Sequence, residues 1–184
     1  MSRYLTWDYD GPMSELPEDP VDSLVQQWHR ERPDLPMDRL HAMATIGRLG
    51  RLSTLAGRAI ERTFAAHDLQ IGEFDVLAAL RRSGEPFELT PSRLVRQLML
   101  SSSAMTNRLD RLEERALVRR RPDPEDRRGT IVSLTDGGRV LVDAAVTDHV
   151  ETEAQLLSPL DDAQRRQLDD LVRLLLEGMA GPSD

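Results

Sequence analysis

The most constraining feature of this 184-residue sequence is a run in which helical spacing gives way to two alternating strands around a basic loop. Apolar residues recur at helical spacing over 90–98 and again over 102–115. Residues 117–121 and 130–134 then alternate as strands do, and the loop PDPEDRRG between them is too long for a tight hairpin turn. The order helix, helix, strand, basic loop, strand predicts a winged helix-turn-helix.

Helical patterns on both sides of this run predict a mainly α fold, with the β-hairpin wing as its small sheet. Residues 1–20 are acidic and contain three prolines, which is typical of a flexible arm. We expect N-terminal helices for dimerisation or ligand binding over 21–67, a DNA-binding lobe over 68–134 and C-terminal dimerisation helices over 135–184. The last helix is so apolar that it predicts a partner surface.

Composition excludes several classes of protein. The chain has no cysteine, which rules out disulfides, zinc fingers and thiolate catalysis. No apolar run reaches the roughly 20 residues of a membrane span, so we expect no membrane partner and a cytoplasmic location. The four histidines show no metal-ligand spacing, and we find neither a phosphate-cradling glycine loop nor a nucleophile with a paired base. We therefore expect no catalytic residue, metal site or cofactor.

The formal net charge of −8 conceals a basic segment. Residues 93–128 contain ten arginines and six acidic residues, a local charge of +4, so the remainder of the chain carries −12. Contact with phosphates depends on the local field rather than on the total charge. The helix-turn-helix and wing therefore coincide with the part of the chain best suited to double-stranded DNA.

The second helix of the pair is the expected recognition helix, because its polar face is free to enter a major groove. Asparagine suits adenine, and arginines at a wing tip suit phosphates or a narrow minor groove. A solvated polar helix beside a basic hairpin is the alternative interpretation. The expected DNA contacts are Ser102, Ser103, Thr106, Asn107, Arg111, Arg127 and Arg128.

Two motifs strengthen the DNA-binding interpretation. Over 68–134 the chain resembles the MarR family of bacterial winged-helix regulators: LSSSAMTNRLDRLEERALV is similar to its recognition helix and DPEDRRGTIVSLTDGG to its wing. Ala116 stands where many members have glycine. The resemblance implies a repressor that is a homodimer joined through its terminal helices. Such a dimer would bind a pseudo-palindromic operator whose half-sites lie about one helical turn apart.

Four residues are similar to those of the urate-responsive branch of the family: Trp28, Asp75, Arg108 and Arg120. The resemblance implies that Trp28 and Arg108 hold the ligand, and that Asp75 and Arg120 relay its arrival. Urate is a flat anion, for which an indole offers a stacking face and a guanidinium offers charge and paired donors. We thus expect a small-molecule effector, urate or a similar anion, that releases the protein from DNA.

Each of these four residues also has a simpler interpretation. Trp28 fits a core or an interface, and Asp75 fits the first turn of a helix, where the dipole favours a carboxylate. Arg108 fits a phosphate contact, and Arg120 fits an ordinary strand position. Three other functions stay open: a regulator of the same family that senses another phenolic or carboxylate ligand, a DNA binder without a ligand, and a winged-helix protein-interaction module without a ligand switch.

Overall fold

A computed structural model describes residues 19–124, 126 and 129–180. The predicted acidic arm, up to residue 18, and the two wing-tip arginines lie outside the described residues. No helix of the described part has the length and apolar character of a membrane span. The elements are α1 (Pro20–Glu31), α2 (Met37–Ala65), α3 (Ile71–Arg82), β1 (Glu88–Leu89), α4 (Pro91–Leu98), α5 (Ser102–Glu114), β2 (Val118–Pro122), β3 (Thr130–Leu134), α6 (Asp136–Leu156) and α7 (Asp162–Ala180).

Three antiparallel strands form the small sheet, in the order β1-β3-β2. β2 pairs with β3 along its whole length, from Val118 opposite Leu134 to Pro122 opposite Thr130. The prediction of a mainly α winged helix-turn-helix with a small sheet is confirmed. Strand β1 was not predicted, because Glu88–Leu89 is too short to show alternation and becomes a strand only by pairing with β3.

The chain divides into two units, Met1–Thr54 and Leu55–Asp184, and the boundary falls inside α2. The second unit has a continuous apolar core to which α3, α4, α5, both wing strands and α6 contribute. On α5 the buried positions are spaced at helical intervals, which turns its other side outward. The largest fully buried side chains include Phe64, Leu77, Leu80, Leu94, Met105, Leu109, Leu112, Val132 and Val142.

The first unit packs α1 on the N-terminal half of α2. Asp19 begins α1 as its cap, and the Arg48 guanidinium donates to Asp19 at 2.8 Å and also pairs with Asp22. Hydrogen bonds from Arg48 lower the pKa of Asp19 to about 2. The apolar core of this unit is small and contains three buried side chains: Val25, Leu40 and Ala44.

Candidate nucleic-acid interface

Helices α4 and α5 form the helix-turn-helix, and short-range hydrogen bonds fix the turn between them. Thr90 caps α4 by accepting a backbone N–H at 3.3 Å, and Pro91 occupies the first helical position. Met99 is the C-cap of α4, and its φ of 49° lies in the left-handed region. Ser101 then caps α5 by accepting a backbone N–H at 3.2 Å. The sequence signals for both helix starts therefore coincide with the residues that cap α4 and α5.

The outward side of α5 carries the small polar residues that were predicted to meet base edges. Ser102, Ser103, Thr106 and Asn107 are all exposed, whereas Met105 between them is buried. The Thr106 hydroxyl donates to the carbonyl of Ser102 at 3.0 Å, so this side chain lies close to the helix backbone. Asparagine and small hydroxyl side chains at such a face can approach the major-groove edges of bases. Base contact by these four residues remains a prediction.

Arg111, the fifth predicted DNA contact on α5, is half-exposed and forms an ion pair within the lobe. Its Nε donates to Glu73 Oε1 at 3.0 Å, and its Nη2 donates to Gln70 Oε1 at 3.4 Å. Glu73 lies on α3 and is only 4% exposed. No sequence pattern indicates this ion pair, because the two partners lie 38 positions apart. A direct DNA contact by Arg111 would have to compete with this buried carboxylate.

The wing strands hold two further arginines in place. Arg119 Nε donates to Ser133 Oγ at 3.0 Å, and Arg121 pairs with Glu88 at 2.7 Å. Both contacts tie β2 to the rest of the sheet, which supports the base of the wing. Arg127 and Arg128, the predicted phosphate contacts at the wing tip, lie outside the described residues.

Asp75 lies on α3 at the back of the recognition helix. It is partly buried, and burial raises its pKa above the usual 3.8, against the opposing charges of Arg108, Arg82 and His149. Arg108 lies close to the first turn of α3: a Cβ placed on Gly72 would meet its Cζ at 2.3 Å. Since Gly72 and Asp75 are three positions apart on one helix, they share a face. The structure therefore brings Asp75 and Arg108 together, as the ligand hypothesis requires.

His149 on α6 completes the group of charges around Asp75. Its ring packs against Phe64 and Phe74, with centroid distances of 5.0 and 5.4 Å. Nε2 lies 3.4 Å from Glu153 Oε1, while Nδ1 is buried and has no hydrogen-bond partner among the described residues. Sequence spacing did not indicate this position, because His149 has no partner residues at a recognisable spacing along the chain. Among the described residues, the lobe thus contains two buried polar side-chain atoms without a hydrogen-bond partner, His149 Nδ1 and Arg120 Nε.

Arg120, expected to relay ligand binding together with Asp75, makes its contacts elsewhere. It pairs with Asp110 of α5, and its Nε lies 3.0 Å from Glu113 Oε2. Its backbone N–H also donates to Glu113 at 3.0 Å. These contacts tie β2 to the recognition helix, whereas the charged groups that act on Asp75 are Arg108, Arg82 and His149. The relay role of Arg120 stays a prediction.

Trp28, the expected stacking residue, lies on α1 of the first unit. It is 46% exposed and lines a groove between α1 and α2 together with Leu24, Met43 and Arg51. A half-exposed indole beside apolar side chains and one guanidinium suits a flat anion. The other three ligand candidates belong to the second unit.

Comparison with known proteins places this geometry among DNA-binding regulators. Residues 67–129 match the model of the MarR family. Over 152 residues the chain is 43% identical to the HTH-type transcriptional regulator PecS of Dickeya dadantii (strain 3937), which covers 83% of this chain and 90% of PecS.

Solved structures agree with these sequence matches. A crystal structure of an E. coli MarR mutant complexed with operator DNA has a TM-score of 0.60 and 25% identity, over 81% of this chain and 97% of that one. Bordetella bronchiseptica BpsR, whose DNA binding is regulated by 6-hydroxynicotinic acid, has a TM-score of 0.60 and 26% identity, over 71% of this chain and 98% of that one.

Proposed function

The chain belongs to the MarR family, and we propose that it is a homodimeric repressor that a small planar anion such as urate releases from operator DNA. One observation carries this proposal. Helix α5 presents an exposed polar face on its outer side and places Arg108 in the group around Asp75 on its inner side. The helix that meets DNA is therefore also part of the candidate ligand site.

In this proposal the outer face of α5 enters the major groove, and the wing reaches the adjacent backbone. Ser102, Ser103, Thr106 and Asn107 contact base edges, and Arg127 and Arg128 contact phosphates. Neutralising several phosphates makes operator affinity fall steeply with salt. A protein-interaction module would not require this salt dependence.

The proposed dimer rests on the terminal helix. None of the residues of α7 is buried, although several of its large apolar side chains lie at helical spacing. A second copy of the chain would cover them and give the symmetry that a pseudo-palindromic operator requires. The exposed apolar residues are Leu171, Val172, Leu174, Leu175, Leu176 and Met179.

The proposed ligand binds as an anion beside Arg108. A second negative charge near Asp75 repels that carboxylate, which is already unfavourably buried. Because Arg108 is part of the recognition helix, its movement towards the anion moves the DNA-reading face. BpsR, which responds to 6-hydroxynicotinic acid, supports the class of a flat aromatic anion.

The proposal is tested by fluorescence anisotropy with DNA from immediately upstream of the gene. The duplex is titrated at fixed salt with wild type, Arg108→Gln and Arg82→Gln, with and without urate. Arg82 also acts on Asp75 but lies outside α5, so it is the matched control. We expect urate to release wild type and Arg82→Gln, while Arg108→Gln stays bound.

Other results identify the alternatives. Tight binding that ignores urate but responds to 6-hydroxynicotinate, or to another phenolic or carboxylate compound, would replace the ligand and keep the regulator. Binding that responds to no ligand would indicate a DNA binder without a switch. Failure to bind any DNA would leave the protein-interaction module.

A further inference from the structure

We propose that Glu73 is a positioning residue for DNA recognition: by holding Arg111 and Arg115, it fixes the register of α5 against α3. The inference rests on the proposed function, since the register of α5 matters only if α5 reads DNA. It assigns a role to a buried carboxylate that neither the ligand switch nor the base contacts use.

The carboxylate of Glu73 is held from both sides. Oε1 accepts from Arg111 Nε at 3.0 Å, and Oε2 lies 3.5 Å from Arg115 Nη1. From its own helix, the backbone N–H of Gln70 donates to Oε2 at 3.0 Å, and the Gln70 side chain accepts from Arg111. Glu73 is thus fixed by the first turn of α3 before it binds α5.

Removing a charge from water costs free energy. The ion pairs of a glutamate that is 4% exposed therefore add little to the net stability of the fold. What the contact provides is geometry. Arg111 lies in the last turn of α5 and Arg115 is its C-cap, four positions further on, so a single carboxylate restrains both rotation and sliding of the helix. Asn107 precedes Arg111 by one turn, and its position against a base edge follows from the same restraint.

This arrangement predicts a specific pattern of binding. If Arg111 acts through Glu73, its loss weakens operator recognition but removes no phosphate contact. Operator affinity should then fall while affinity for unrelated DNA and the salt dependence stay the same. A direct phosphate contact would instead reduce the slope of log affinity against log salt by about 0.9.

The test compares Glu73→Gln, Arg111→Gln and the double variant of the full chain in anisotropy titrations. Each protein binds the operator duplex and an unrelated duplex of equal length at several salt concentrations. We expect each single variant to lose about tenfold in operator affinity, comparable to one mismatched base pair. The double variant should also lose about tenfold rather than a hundredfold, because both changes break one interaction.

The matched control is Asp143→Asn, which removes a 2.7 Å ion pair between Arg81 of α3 and Asp143 of α6. It should leave operator affinity unchanged, because it does not touch α5. Wild-type affinity in Glu73→Gln, additive losses in the double variant, or a flatter salt slope in Arg111→Gln would each overturn the inference.

If circular dichroism shows that Glu73→Gln does not fold, Arg111→Gln and Arg115→Gln carry the test, since both side chains are at least one-third exposed. Unchanged operator affinity in both would overturn the inference. Failure of wild type to bind the operator would overturn the proposed function and the inference with it. Binding by wild type and Glu73→Gln with equal affinity would overturn the inference alone.

Discussion

Large apolar side chains are buried in the winged lobe but exposed on the terminal helix. In the lobe, Leu77, Leu94 and Leu112 have no exposed surface, and α3, α4 and α5 enclose one another. On α7, Leu174 is 64% exposed and Met179 is 82% exposed. The lobe completes its core within one chain, whereas α7 presents an apolar surface that a partner would bury. The difference separates residues that fold the lobe from residues that assemble the protein.

The largest effect expected from a single change is in the lobe core. Leu77→Ala should reduce the free energy of unfolding by about 3 kcal/mol, because it removes a fully buried side chain and leaves a cavity. Chemical denaturation measures this loss. Leu174→Ala is the matched control and should cost less than about 0.5 kcal/mol in dilute, monomeric protein. An equal loss at both positions would contradict the contrast between the two regions.

The second prediction tests what covers α7. Leu171→Glu with Leu175→Glu places two carboxylates on one side of the helix, four positions apart. We expect the lobe to melt as before but the dimer to dissociate, with about a hundredfold loss of operator affinity, or about 2.7 kcal/mol. Analytical ultracentrifugation and anisotropy measure the two effects.

Arg173→Gln on the same helix is the control for the charge change, since the ion pair between Arg173 and Asp169 is exposed. It should stay dimeric. A double glutamate variant that remains a dimer would show that dimerisation uses a different surface.

Two glycines sharpen the same contrast. Gly138 at the start of α6 is buried, and a Cβ there would lie 2.0 Å from the carbonyl oxygen of Leu117. Gly138→Ala should therefore cost about 2 kcal/mol or more, because backbone atoms must move. A Cβ placed on Gly50, in α2 of the first unit, would meet no other part of the described chain within 4 Å, so Gly50→Ala should gain up to about 1 kcal/mol from helix propensity. Thermal melting measures both; destabilisation by Gly50→Ala would indicate that another surface packs on α2.

Local signals made most of the fold predictable. Thr90-Pro91 and Ser101 start α4 and α5 as expected, and Asp161 and Gln164 exchange hydrogen bonds of 2.9 Å in the predicted capping box. In each of these caps the two partners lie within one helical turn, so a short stretch of sequence is enough to identify both. The exposure of the α5 face followed from its helical period in the same way.

The partners of charged side chains could not be predicted in this way. Sequence patterns do not distinguish Arg111 from Arg120. In the structure, however, Arg111 binds a buried glutamate of α3, whereas Arg120 binds acidic residues of α5. Such pairs depend on which elements the core brings together. The resemblance named Asp75 and Arg108 among four ligand candidates, whereas their closeness to each other and to His149 became visible only in the folded chain.

The smallest expected effect tests whether the ionised carboxylate of Asp75 destabilises the winged lobe. Burial raises the pKa of Asp75 in the folded state, so its contribution to stability is present below pH 3.8 and is lost as pH rises through the raised value. At pH 7 the ionised carboxylate is thus unfavourable. Asp75→Asn should raise the melting temperature at pH 7 by roughly 1–3 °C, but not at pH 3.5.

Asp143→Asn removes a half-exposed carboxylate from an ion pair of the same lobe and should give no such gain at pH 7. A lower melting temperature for Asp75→Asn at pH 7 would mean that the attraction of Arg108, Arg82 and His149 outweighs burial. A higher melting temperature together with a lost response to the anion would indicate that the lobe keeps an unfavourable carboxylate because the ligand switch uses it.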